Sequence, residues 1–65
     1  MNIFDELEKE NKVINDEMVD VEQEGSVIWI TLLGKDGCLL FAETYQSVPN
    51  AIERLKQIGG IKNDS

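Results

Sequence analysis

The stretch that most constrains this chain runs from Val27 to Tyr45, VIWITLLGKDGCLLFAETY. Val27 to Leu33 is an unbroken run of apolar and β-branched residues. A second apolar run, Cys38 to Phe41, follows directly after Gly34-Lys35-Asp36-Gly37. Two such runs around a Gly-containing turn predict antiparallel strands over 26–33 and 38–44, with Gly37 in the left-handed conformation. Along the first of these strands Val27, Trp29, Thr31 and Leu33 share one face, and Ile28, Ile30 and Leu32 share the other. Both faces are apolar, so the strand is expected in the middle of its sheet with cover on both sides. One helix covers one face only. The other is left for an N-terminal helix or a second copy of the chain, and Ile28, Ile30 and Leu32 are the candidate dimer face.

The flanking sequence supplies the rest of an α+β fold. Val19 and Val21 alternate with Asp20 and Glu22, which predicts an outer strand over 17–24 with one charged face. Its outward acids discourage pairing with further strands. Asn15-Asp16 and Gly25-Ser26 read as turns on either side of it. At the N-terminus, Asn2 is a helix cap, and Asp5 and Glu6 sit near the positive end of the dipole. Asp5–Lys9 and Glu8–Lys12 have the spacing of helical ion pairs. A helix over 2–13 follows, although Ile3, Phe4, Leu7 and Ile14 give it only a thin apolar stripe, and a frayed terminus is the alternative. Ser47 caps a second helix over 47–58, with Pro49 in its first turn. Val48, Ala51, Ile52, Leu55 and Ile58 form its apolar face. Gly59-Gly60 ends it, Ile61 makes the closing hydrophobic contact, and Lys62 to Ser65 is expected to be a mobile tail. The predicted architecture is one small domain over 1–65: an N-terminal helix, a three-stranded antiparallel sheet, and a C-terminal helix packed on one sheet face.

Composition narrows the chemistry. At 65 residues the chain is near the lower limit for a self-sufficient core. It has one cysteine and no histidine, so neither an internal disulfide nor a zinc set can staple it. Self-association or a partner is therefore favoured. The first residues are acidic where a signal peptide needs basic ones, and no apolar run approaches the roughly 20 residues of a membrane span. With a free thiol, this places the expected location in the cytoplasm. Catalysis lacks its usual parts: there is no His to activate a nucleophile, no phosphate loop and no metal spacing. Cys38 has no neighbouring activator and reads as a small strand or core residue. No catalytic residue, cofactor or metal ligand is assigned.

The net charge of −7 is unevenly placed. Residues 1–24 carry nine acids against Lys9 and Lys12, whereas residues 25–65 carry four acids against four bases. Such an N-terminal third repels phosphate backbones and anionic membranes and attracts basic partners. Trp29 and Phe41 would stack on bases only if exposed, and their apolar neighbours assign them to the core.

The segment GKDGCLLFAETYQSVPNAIERLKQ resembles the YegP-like family of small β-β-β-α domains. That family repeats a Gly hairpin, a strand ending Ser/Thr-Glu-x-Tyr-x-Ser, and a helix with Ala followed by aliphatic positions. Gly37, Glu43, Tyr45, Ser47, Ala51, Leu55 and Ile58 fall on this pattern, within residues 27–58. Arg54 stands where the family has Gly, and the third strand is one residue shorter. The resemblance implies a three-stranded sheet with a helix behind it, and a housekeeping role that remains undefined. The same strand-to-helix grammar is similar to arm-type DNA-binding domains of integrases. Those read DNA with basic residues on the sheet, which the single strand or turn base Lys35 does not supply.

What remains is protein binding. Asp16, Glu17, Asp20, Glu22 and Glu24 are expected to form a row of carboxylates along the outer strand, continued by the acids of the first helix. Such a row can imitate phosphates and occupy the groove of a basic nucleic-acid-binding protein. By analogy, small acidic chains from phages and mobile elements inhibit host nucleases, polymerases or defence proteins in this way. The expected function is thus a non-enzymatic acidic interaction module and inhibitor, a DNA mimic. A small homodimeric YegP-like structural domain is the alternative, and acids that serve only solubility are the plainer one.

Overall fold

In the computed structural model, which describes residues 2–63, the elements are α1 (Ile3–Lys9), β1 (Lys12–Ile14), β2 (Val19–Glu24), β3 (Val27–Leu33), β4 (Leu39–Tyr45), α2 (Val48–Ile58) and β5 (Ile61–Asn63). The fold is α+β. β2, β3 and β4 form an antiparallel sheet in that order, and β1 and β5 form a separate antiparallel ribbon.

The β3–β4 hairpin follows from its glycines. Gly34 N–H donates to the Cys38 carbonyl at 2.7 Å, leaving Lys35, Asp36 and Gly37 as the loop. Gly37 takes φ +82°, a conformation costly for any residue with a side chain. Asp36 Oδ1 accepts from Cys38 N–H at 3.1 Å and fixes the loop. The ladder slips by one residue at Leu32/Leu33, so that Leu33 opposes Leu39. Cys38 is exposed at the mouth of the turn rather than packed in a strand or core.

Both helices lie on the same side of the sheet. Ile3 and Leu7 of α1 and Val48, Ala51, Ile52 and Leu55 of α2 close over Val19, Val21, Ile28 and Ile30 in one buried cluster. Ile28 and Ile30 are 0 % exposed. Full burial of each is worth about 1.5–3 kcal/mol, so this cluster is the main source of cohesion. The candidate dimer face of Ile28, Ile30 and Leu32 is therefore corrected: the chain's own helices occupy it, with Leu32 packed at the cluster's margin. Among the described residues no helix covers the opposite face.

The element boundaries correct the N-terminal expectation most. α1 stops at Lys9 instead of running to residue 13. Asn11 takes φ +56°, the left-handed conformation that Asn tolerates, and the β-branched Val13 and Ile14 then pair with β5. Ile14 thus contributes to the core from a strand. The expected i,i+4 pairs do not form: Lys9 Nζ meets Glu6 at 3.2 Å, and Lys12 Nζ lies 3.9 Å from Glu10. Asn2 does cap the helix, accepting from Phe4 N–H at 2.8 Å.

The supposed tail is also structured. Ile61–Asn63 is β5, and the helix stop before it is a two-bond cap in which Gly60 N–H reaches the Leu55 carbonyl at 2.8 Å and Gly59 N–H the Lys56 carbonyl at 3.4 Å. The remainder of the expected tail, Asp64 and Ser65, lies outside the described residues. β1 and β5 add Lys12 and Lys62 to the bases carried by strands, which sequence reading had confined to Lys35.

Candidate protein-binding face

The β2–β3 hairpin turns at Gly25, φ +61°, and its register decides what the uncovered face presents. Glu24 opposes Val27, Glu22 opposes Trp29 and Asp20 opposes Thr31. Directly opposed residues in an antiparallel pair point to the same side. Since Val19, Val21, Ile28 and Ile30 point into the core, Asp20, Glu22 and Glu24 point the other way, beside Trp29 and Thr31. On the far side of β3, Trp29 opposes Thr44 and Thr31 opposes Ala42. The outer face is therefore an acidic rail on β2, an aromatic and apolar centre on β3, and an uncharged flank on β4.

Successive carboxylates on the rail are two residues apart, roughly 6.8 Å along the strand. All three residues are exposed, and among the described residues none takes an ion pair or side-chain hydrogen bond. Trp29 is 37 % exposed, which overturns its assignment to the core. It lies in a shallow depression lined by Asp20, Glu22, Glu24 and Thr31. An indole beside carboxylates offers a cation both a π-face and counter-charges.

Of the five acids expected to form one row, the structure brings Asp20, Glu22 and Glu24 together. Asp16 and Glu17 stand instead in the turn before β2, where the Asn15 carbonyl accepts from both Met18 N–H at 3.0 Å and Val19 N–H at 3.1 Å. The acids of α1 do not continue the row, because α1 lies across the other face of the sheet. Its anchoring there is explicit: Ile3 N–H donates to Gln23 Oε1 at 2.8 Å, and Gln23 Nε2 donates to the Gly25 carbonyl at 2.9 Å.

A second polar cluster sits where α2 crosses β4. The Arg54 guanidinium grips Glu43 with two bonds, Nε to Oε2 at 3.1 Å and Nη2 to Oε1 at 2.9 Å. Tyr45 donates its hydroxyl to Glu43 Oε2 at 2.5 Å, and the guanidinium lies 5.7 Å from the centre of the Phe41 ring. The hydrogen bonds from Arg54 and then Tyr45 hold the Glu43 carboxyl below its usual range, while the bond to Glu43 pushes the Tyr45 phenol up. Every polar atom here is paired with another, so the cluster reads as a clamp between helix and sheet. Among the described residues no group of three His, Cys, Asp or Glu side chains could hold a metal ion. Nor is any described helix long and apolar enough to cross a membrane.

No known protein family, curated protein or solved structure matches this chain.

Proposed function

We propose that this chain is a non-enzymatic protein-binding module whose outer sheet face engages a basic protein. The observation that carries the reading is the uncovered face itself: three unpaired carboxylates in line beside an exposed tryptophan. A face left open by both helices, yet holding a large aromatic residue at its centre, has the anatomy of an interface, with an apolar anchor inside a charged rim. The rail steers a basic partner and speeds its encounter, and Trp29 supplies contact area once it arrives. A partner that carries such basic residues to hold nucleic acid loses that contact while bound, so the module acts as an inhibitor.

The test is affinity capture from cell lysate at low and at high salt, with wild type beside the triple variant Asp20→Lys, Glu22→Lys, Glu24→Lys. All three positions are exposed, so the variant folds. The expected result is a basic protein retained by wild type at low salt, released at high salt and not retained by the triple variant. Equal retention by the variant would refute the role given to the rail.

A further inference from the structure

The edge of the sheet opposite the acidic rail is open. β4 pairs with β3 on one side only, so every second residue between Leu39 and Tyr45 presents its backbone N–H and C=O away from the sheet. Natural edge strands are normally protected by charges, proline, a bulge or a covering element. Of these β4 has only a bulge and one charge. It carries no Lys and no Pro, and its ladder slip falls at the end next to the hairpin. Its one charge, Glu43, is neutralised by Arg54. Leu39 and Leu40 are 63 % and 62 % exposed, the two most exposed large apolar side chains among the described residues.

We infer that β4 is a self-pairing edge: two copies join through antiparallel β4–β4 pairing into one six-stranded sheet. Charge selects a second copy as the occupant. A chain of net charge −7 repels itself wherever its acids meet, and its exposed strand acids lie on β2, at the opposite edge of the sheet. In the β4–β4 assembly the two β2 rails stand at the outer edges, five strand spacings or about 24 Å apart. That is beyond the screening length of about 8 Å at physiological salt, so the rails do not oppose assembly. Contact through the outer faces about a two-fold axis across the strands would instead bring one rail onto the other.

The geometry is self-complementary. Antiparallel pairing of a strand with its own copy satisfies a two-fold axis, which is the symmetry of most small homo-oligomers. With that axis perpendicular to the sheet, both outer faces look the same way. Leu40, Ala42 and Thr44 of the two copies then fill the seam between two acidic rails.

Light scattering on the eluting protein and amide hydrogen exchange test this together. Wild type is expected at twice the 7.3 kDa chain mass. The outward amides of β4 should exchange more slowly as protein concentration rises. Leu40→Lys with Ala42→Lys, at two positions already exposed in the single chain, should return the mass to one chain. A wild type that stays at one chain mass at high concentration would overturn the inference, as would a doubly substituted variant that remains paired. A dimer whose outward β4 amides exchange freely would place the contact elsewhere. Exchange on wild type decides the matter even if the variant fails to fold.

Discussion

Gly60→Ala is the sharpest test of how the two sheets of this protein are joined. Gly60 lies between α2 and β5, with its N–H on the Leu55 carbonyl and its own carbonyl accepting from Asn15 N–H, each at 2.8 Å. A Cβ built there would stand 2.9 Å from Leu55 Cδ2 and 3.1 and 3.2 Å from the two Cγ atoms of Val19. Leu55 and Val19 are both fully packed, so neither can swing into water. Forcing a methyl group into such a site costs about 1–3 kcal/mol. The backbone itself raises no objection, since φ at Gly60 lies outside the left-handed range. Alanine also restricts the unfolded chain, which returns about 0.4–1 kcal/mol. The net expectation is a loss of about 1–2 kcal/mol, which for a domain of this size lowers Tm by about 4–16 °C. Thermal and urea unfolding followed by circular dichroism measure it. Val19→Ala removes two of the three obstructing atoms, so the same methyl should cost less in that background, with a coupling on the order of 1 kcal/mol. A Gly60→Ala protein as stable as wild type, or one whose loss is unchanged by Val19→Ala, would refute the packing argument.

Four further outcomes follow from named contacts. Tyr45 is the sole tyrosine, so its phenol can be titrated by ultraviolet absorbance, and its midpoint should lie above the ordinary 10.0 and fall toward it in Glu43→Gln. Because the folded phenol holds its proton more tightly, its contribution is complete below pH 10.0 and is lost as pH rises through the folded value. Glu43 works in the opposite sense: its folded pKa is lowered, so its contribution is complete above 4.5 and is lost as pH falls through the folded value. Acid unfolding of Glu43→Gln should accordingly depend less on pH than that of wild type. Gln23→Leu removes the acceptor for Ile3 N–H and should cost about 1–2 kcal/mol, with amide exchange in α1 accelerating before that in β3. Ser47→Ala should cost about 0.5–1 kcal/mol in urea unfolding, the low end for an N-cap, because its bond to Asn50 N–H is long at 3.5 Å.

Much of the fold was legible in the sequence because hydrophobic period and turn chemistry agreed with each other. Val27–Leu33 became the central strand, Gly37 took the positive φ its loop needs, and Ser47 and Gly59 bound the second helix. The N-terminus was misread because Lys12, Val13 and Ile14 look like the last turn of a helix when taken locally. Only pairing with Ile61–Asn63, nearly fifty residues away, makes them a strand, and no local pattern reports that partner. The same long-range pairing turned an expected loose tail into β5.

The site was half legible. The alternation of Asp20, Glu22 and Glu24 gave the acidic rail, but Trp29 was assigned to the core because its neighbours along the chain are apolar. The signal that places it correctly is cross-strand. A two-residue turn at Gly25-Ser26 sets Glu22 opposite Trp29, so if the acids face water the indole must share that face. The N-terminal helix was the other misplacement: it does not cover the second face of β3. The two helices share one side, where both enclose a single buried cluster with Ile28 and Ile30.

The central claim, that the outer sheet face is the binding surface, is tested most directly by Trp29, the only tryptophan and an optical probe already at the middle of that face. Its emission and its quenching by acrylamide should be followed while the basic protein captured at low salt is titrated in. Occupation of the outer face predicts a blue shift and protection from the quencher, both absent with the Asp20→Lys, Glu22→Lys, Glu24→Lys variant. A saturable complex that leaves Trp29 emission and quenching unchanged would place binding elsewhere and contradict the account.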